Sequence, residues 1–261
     1  MIPVFTVNLL PDPKALEDKN LTVVQAVQTD QKAGGKYIGE QLLKDLGPNG
    51  SATVGIVGEP TAVAANMRDA GFKEAVAANP TVKVVALVNG KVEETTSLKV
   101  TTEMLQGNPQ IDVVYSDTEP AALGALAAIK QLGRNDVKLY AFVDKIGVKH
   151  IAENTYLKAG AIQEPAKLAQ IQIANIKKFL AGDKLEPLVD SPPLLVDKSN
   201  AAGTVERLIE IEPCRNWAAT EQPESPNRFP ACASSTGSTS KCGRAPSRAC
   251  SDTTAPASRH C

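Results

Sequence analysis

Asp117 and Glu119 alternate at the end of an apolar run, where paired carboxylates act either as a general acid–base couple or as crevice and helix-capping groups. The rest of the sequence gives the catalytic option no support. The two histidines, His150 and His260, are far apart, and no local Cys/His or Ser/His arrangement supplies a nucleophilic triad. Gly34-Gly35 and Gly55/Gly58 make neither GxGxxG nor GxxxxGK[ST], so phosphate cradling is unsupported. The two carboxylates are therefore expected to line a crevice or cap a helix. No catalytic residue, metal site or cofactor is expected, and the chain reads as a non-enzyme.

Bulk composition narrows the partners. With 28 Lys+Arg against 29 Asp+Glu, the net charge of −1 offers no strong field for nucleic acid or an anionic membrane. Aromatic residues make up 4%, which disfavours a base-stacking surface. No apolar run approaches the roughly 20 residues of a membrane span. Met1-Ile2-Pro3-Val4-Phe5 shows no basic segment leading into an apolar one, so no secretion signal is visible. All five cysteines lie beyond residue 213, an odd number at irregular spacing that forms neither a disulfide framework nor a zinc pattern. Residues 213–261 contain no Val, Ile, Leu or Met and are expected to be disordered, as an interaction tail or the product of a shifted reading frame.

The elements that must position any site are regular before that point. Short β-branched runs at 53–57, 82–88, 111–115 and 137–142 alternate with helix-like segments at 62–78, 95–106 and 120–132. Each run is too uniformly apolar for a half-exposed strand, so all four are expected to be buried on both faces of a parallel α/β sheet. Asn79-Pro80 and Asn108-Pro109 close two helices, and Gly133 supplies a C-terminal cap for a third. Two pieces stand apart. Residues 2–7 form a strand with nothing preceding it to pair with, and residues 165–180 form an amphipathic helix with Leu168, Ile171, Ala174/Asn175 and Lys178/Phe179 near one face.

Several stretches in order resemble the type I periplasmic binding proteins, especially their ribose-binding branch. They are Ile2-Pro-Val-Phe-Thr-Val-Asn8, Thr29-Asp-Gln-Lys-Ala-Gly-Gly-Lys36, and Gly58-Glu-Pro-Thr-Ala-Val-Ala-Ala-Asn-Met-Arg-Asp-Ala-Gly-Phe72. Ala121-Ala-Leu-Gly-Ala-Leu126, Ala161-Ile-Gln-Glu-Pro165 and Leu194-Leu-Val-Asp-Lys-Ser-Asn200 continue the match, which covers residues 2–200. The resemblance implies a two-lobed α/β fold with flavodoxin-like or Rossmann-like parallel sheets, the first lobe incomplete. Residues 1–29 would be a remnant of the N-terminal lobe and 30–163 the C-terminal ligand-binding lobe. Residues 164–192 would return to the first lobe, and 193–200 would form a return strand. The implied function is the solute-binding component of an ABC importer, in the periplasm, with a sugar or related polyol as ligand and an ABC permease as partner. A chain without most of its first lobe is expected to hold a monosaccharide only weakly and to dock the 165–180 helix poorly. The effector domain of a lactose-repressor-type regulator shares the fold and is the alternative. The transporter-style Leu46-Gly-Pro-Asn-Gly-Ser-Ala-Thr-Val54 argues against it.

Carried over residue by residue, the resemblance assigns ligand contact to Arg68, Gln163, Asn8, Thr118 and Asp144. Asn8 stands where the family commonly has Asp, Leu9 where the ribose branch has Arg, and Thr118 where it has Asn. Asp144 is displaced by one residue from the expected Phe-Asp pair, and Val92 replaces an aromatic. The implied pocket is less charged than a ribose site. Arg68 could instead be a solvated helix residue paired with Asp69 or Glu74, Asn8 could close a turn, and Thr118 could cap the following helix.

Overall fold

Two sheets organise the chain. The computed structural model describes residues 2–8 and 12–209. Strands β1 (Phe5–Val7), β2 (Gln25–Thr29) and β8 (Leu188–Ser191) form a parallel sheet in the order β1-β2-β8. Strands β3 (Ala52–Gly58), β4 (Val82–Asn89), β5 (Val113–Ser116), β6 (Lys138–Phe142), β7 (Leu157–Ile162) and β9 (Leu194–Asp197) form the other, in the order β4-β3-β5-β6-β7-β9. All its pairs are parallel except β7–β9. Helix α1 (Pro13–Asp18) follows β1, and α2 (Gln31–Leu46), α3 (Val63–Val76), α4 (Glu94–Gly107), α5 (Glu119–Gln131), α6 (Lys145–Ala152), α7 (Pro165–Leu180) and α8 (Ala201–Ile209) complete the α/β alternation. The chain passes between the sheets after Thr29, after Ile162 and between Ser191 and Leu194.

The large sheet is covered on both faces. Ile38, Leu42, Val54, Ile56, Phe72, Tyr115 and Tyr140 are buried together in one cluster, and Val57, Leu105, Val114, Leu126, Ile129 and Leu139 in another. The Phe72 and Tyr115 rings stack at 4.0 Å with an interplanar angle of 6°. β3, β5 and β6 are buried as their runs suggest.

β4 is not. Val84, Val85 and Leu87 are 39%, 44% and 44% exposed, which corrects the expectation that all four runs are buried on both faces. β4 pairs only with β3, so it is an edge, and its register with β3 shifts at Val54/Gly55. Asn108 is the C-cap of α4 and Gly133 follows the α5 C-cap with φ +65°, whereas α3 stops at Val76 with Ala77 as its C-cap, ahead of Asn79-Pro80.

The 2–7 segment finds its partner in β2. Helix α7 docks on this small sheet through buried Leu168 and Gln172 and through an edge-to-face contact of Phe179 with Phe5, centroids 5.5 Å apart. Gln25 Oε1 accepts from Gln172 and Asn175 side chains, at 3.1 and 2.9 Å. Ala174 and Lys178 face solvent instead, and Ile173 and Leu180 are exposed.

Helices α2 and α3 approach closely because glycine lines the seam. A Cβ at Gly35 would stand 1.8 Å from the Arg68 carbonyl oxygen, and one at Gly71 would stand 2.0 Å from that of Lys32. The N-terminus of α2 is fixed by Asp30, whose Oδ1 accepts from the Ala33 N–H at 2.8 Å. This seam sets α2 against Arg68. The variant Gly35→Ala should lose about 3 kcal/mol of stability, because backbone rather than a rotatable side chain must give way. Chemical denaturation with an unchanged m-value checks this.

Candidate functional site

Arg68 is 8% exposed, yet no carboxylate lies within ion-pair distance of it among the described residues. Its Nε donates to Gln31 Oε1 at 2.7 Å, and Nη1 donates to the Asp117 carbonyl oxygen at 2.7 Å. The guanidinium carbon lies 4.0 Å from the centroid of the Phe142 ring. Burial pulls its pKa below the usual arginine value, opposed by Tyr115, Asp117 and Asp144. Nη2 makes no hydrogen bond to any described residue, and Arg68 is among the residues that line a cleft of about 290 Å³. Thr118, Glu119, Phe142, Asp144 and Gln163 line that cleft with it.

A chain of amides links this point to the small sheet. Gln31 Nε2 donates to Gln163 Oε1 at 3.2 Å, and Asn8 Nδ2 donates to the same oxygen at 3.0 Å. Asn8 Oδ1 accepts from the Thr29 N–H at 3.2 Å. Asn8 has φ +53°, a left-handed conformation that asparagine tolerates better than most residues. All of these groups follow strands: Asn8 after β1, Gln31 after β2, Thr118 after β5, Asp144 after β6 and Gln163 after β7. Carboxyl ends of parallel strands are where open α/β folds bind ligands.

The carboxylates have structural occupations. Glu119 Oε2 accepts from the backbone N–H groups of Asp144 and Gly147 and so caps α6; burial raises its pKa, partly opposed by those bonds. Asp117 Oδ2 accepts from the Glu59 N–H at 2.8 Å, and burial raises its pKa too. Burial and the nearby Asp117 push Asp69 up to about 7. Tyr115, fully buried beside both, is pushed well above the ordinary tyrosine value by burial.

Four of the five residues singled out from sequence, Arg68, Thr118, Asp144 and Gln163, line one cleft, and the fifth, Asn8, is bonded to Gln163. Arg68 is not paired with Glu74, which binds Lys32 and Lys36. Thr118 and Asp144 occupy N-cap positions of α5 and α6 without making side-chain cap bonds. Val92 also lines the cleft. Leu9 and residues 213–261 lie outside the described residues. Sequence reasoning missed Gln31 and Phe142; the place of Gln31 directly after the crossover at Asp30 was the available signal.

The periplasmic binding protein domain model matches residues 1–184. The chain belongs to the periplasmic binding protein domain family. The D-ribose/D-allose-binding protein of Pseudomonas aeruginosa is 32% identical over 191 residues, 71% of this chain and 59% of that protein. The ribose import binding protein of Escherichia coli is 28% identical over 164 residues, 63% and 55% of the two chains. The D-apiose import binding protein of Actinobacillus succinogenes is 29% identical over 189 residues, 70% and 60%. The chain thus spans somewhat over half the length of the curated relatives it matches. An ABC transporter periplasmic solute-binding protein from A. succinogenes, solved with D-allose, superposes with TM-score 0.70 at 24% identity over 77% of this chain and 72% of that one. The periplasmic binding protein of an arabinose ABC transporter from Shewanella sp. ANA-3 superposes with TM-score 0.68 at 23% identity over 79% and 68%. These superpositions establish the fold. Among the described residues no helix is long and apolar enough to cross a membrane.

Two outcomes follow from this geometry. Val92 has φ +54°, which a β-branched residue adopts only under strain. Val92→Asn should raise stability by about 1 kcal/mol, read by thermal or chemical denaturation. The folded Asp69 carboxyl keeps a proton that the unfolded chain releases near 3.8. Each rise in pH between about 4 and about 7 therefore favours the unfolded chain, and this contribution is lost as pH climbs through that window. Relative to Asp69→Asn, the native chain should lose about 2–4 kcal/mol across it, measured by urea denaturation at stepped pH.

Proposed function

We propose that this chain is the solute-binding component of an ABC importer, taking a monosaccharide or similar small polar solute between two lobes. It would work in the periplasm and deliver its ligand to an ABC permease. The observation that carries this reading is Arg68, held by Gln31, Asp117 and Phe142 while it lines a cleft that Thr118, Asp144 and Gln163 also line. Sugar hydroxyls donate and accept, so a fixed guanidinium, a carboxylate, an amide and a hydroxyl suit them together. The relatives are ribose, allose and apiose binding or import proteins, which supports the same ligand class and the importer reading over a regulator. The relatives are binding proteins, and the Asp117 and Glu119 carboxylates accept bonds from backbone N–H groups, so binding rather than catalysis is proposed.

Asn8 and Gln31 follow strands of the small sheet and Thr118 and Asp144 follow strands of the large one, with Gln163 where the chain crosses back. A ligand seated among them would join the lobes, as hinge closure requires. Affinity of the 261-residue chain for D-ribose or D-allose is expected in the millimolar range, about −4 kcal/mol. An NMR titration with each sugar should move the Arg68 Nε, Thr118 and Gln163 signals, and Arg68→Ala should abolish those shifts. Absence of shifts at these positions, or shifts confined to other surfaces, would contradict the proposal.

A further inference from the structure

The acidic groups behind Arg68 have no part in the proposed ligand contacts. Asp69 on α3 and Asp117 at the end of β5 are 5% and 1% exposed. Both carboxylates face Gly58: a Cβ there would stand 2.6 Å from Asp117 Oδ2 and 3.3 Å from Asp69 Oδ2. Asp69 Oδ1 and Asp117 Oδ1 are each buried without a hydrogen-bond partner. Two ionised carboxylates in such a place repel each other, and neither can be resolvated. A single proton held on the pair removes that repulsion.

Asp117 is also the residue that seats Arg68. Its carbonyl oxygen accepts from Arg68 Nη1, while its Oδ2 is tied to the Glu59 N–H. Whatever shifts the Asp117 turn therefore shifts the acceptor of the guanidinium. We propose that Asp69 is a positioning residue: it shares one proton with Asp117, and that proton holds the β5–α5 turn whose carbonyl seats Arg68.

The charged and titratable groups facing the pair are few. Asp117 and Tyr115 come from β5, Arg68 and Lys73 from α3 itself, and Glu59 meets Asp117 from the end of β3 through its backbone. On α2, Lys32 and Lys36 are engaged with Glu74. Because burial and Asp117 move Asp69 to about 7, the proton is lost near neutral pH. Above that point the turn loosens, and if the crevice is the sugar site of the preceding section, affinity falls as pH rises.

Carboxyl carbon NMR of the full 261-residue chain, from about pH 5.5 to about pH 8.5, tests this together with the Arg68 Nε resonance. Asp69 and Asp117 should titrate together with a midpoint near 7, and the Arg68 Nε shift should move with the same midpoint. In Asp69→Asn the Arg68 shift should be flat over that range. Asp117→Asn should flatten it too, and serves if the first variant folds poorly. Titration of Asp69 near its ordinary value would overturn the proposal, as would a high midpoint with an unmoved Arg68 signal. A D-ribose titration forms a separate arm, in which affinity should weaken about tenfold between pH 6 and pH 8 in the native chain only. A pH-coupled Arg68 signal without ribose binding at any pH would support the positioning role and refute the sugar-site reading.

Discussion

An arginine with 8% of its surface in water needs donors satisfied and charge spread, and the seat of Arg68 reaches across much of the fold to do this. Gln31 comes from the start of α2, the accepting carbonyl from the β5–α5 turn, and the ring from the end of β6. None of these is near Arg68 in sequence. They meet because α2 lies against α3 at glycine distance, and because β5 and β6 are neighbours in the large sheet. Loss of the glycine seam would move Gln31, and loss of the Asp117 turn would move the carbonyl. The crevice inherits its geometry from helix packing rather than from its own loops.

The same seat couples the two sheets. Gln31 follows a strand of the small sheet yet bonds a helix packed on the large one, and it shares the Gln163 oxygen with Asn8. Amide groups suit such a junction. They donate and accept without charge, so they can share partners at little desolvation cost. Asp117 and Phe142 anchor Arg68 against the large sheet while the amides reach the small one.

Strands β3, β4, β5 and β6 and helices α3, α4 and α5 were legible in the sequence as apolar runs and helix-length segments, whereas α6 and β7 were not. The edge position of β4 was not legible. Its residues are as apolar as those of β3, and only strand order, a property of the whole chain, leaves Val84 and Leu87 at the rim. Arg68, Thr118, Asp144, Gln163 and Asn8 could be named through family resemblance. Gln31 offered only its place after the crossover at Asp30, since its pairings lie 37 and 132 positions away, and Phe142 offered no signal, since its role rests on a cation held over its ring. The buried Asp69–Asp117 pair likewise arises from α3 crossing the end of β5, with Gly58 leaving the space between them.

Arg68 is proposed as a preset anchor for a sugar hydroxyl. A crystal structure of the chain grown or soaked in concentrated D-ribose would show it. Ribose is expected in the cleft with a hydroxyl at hydrogen-bond distance from the Arg68 guanidinium, and with the Arg68 bonds to Gln31 and to the Asp117 carbonyl unchanged. A ribose bound elsewhere, or one in the cleft that leaves Arg68 untouched, would contradict it.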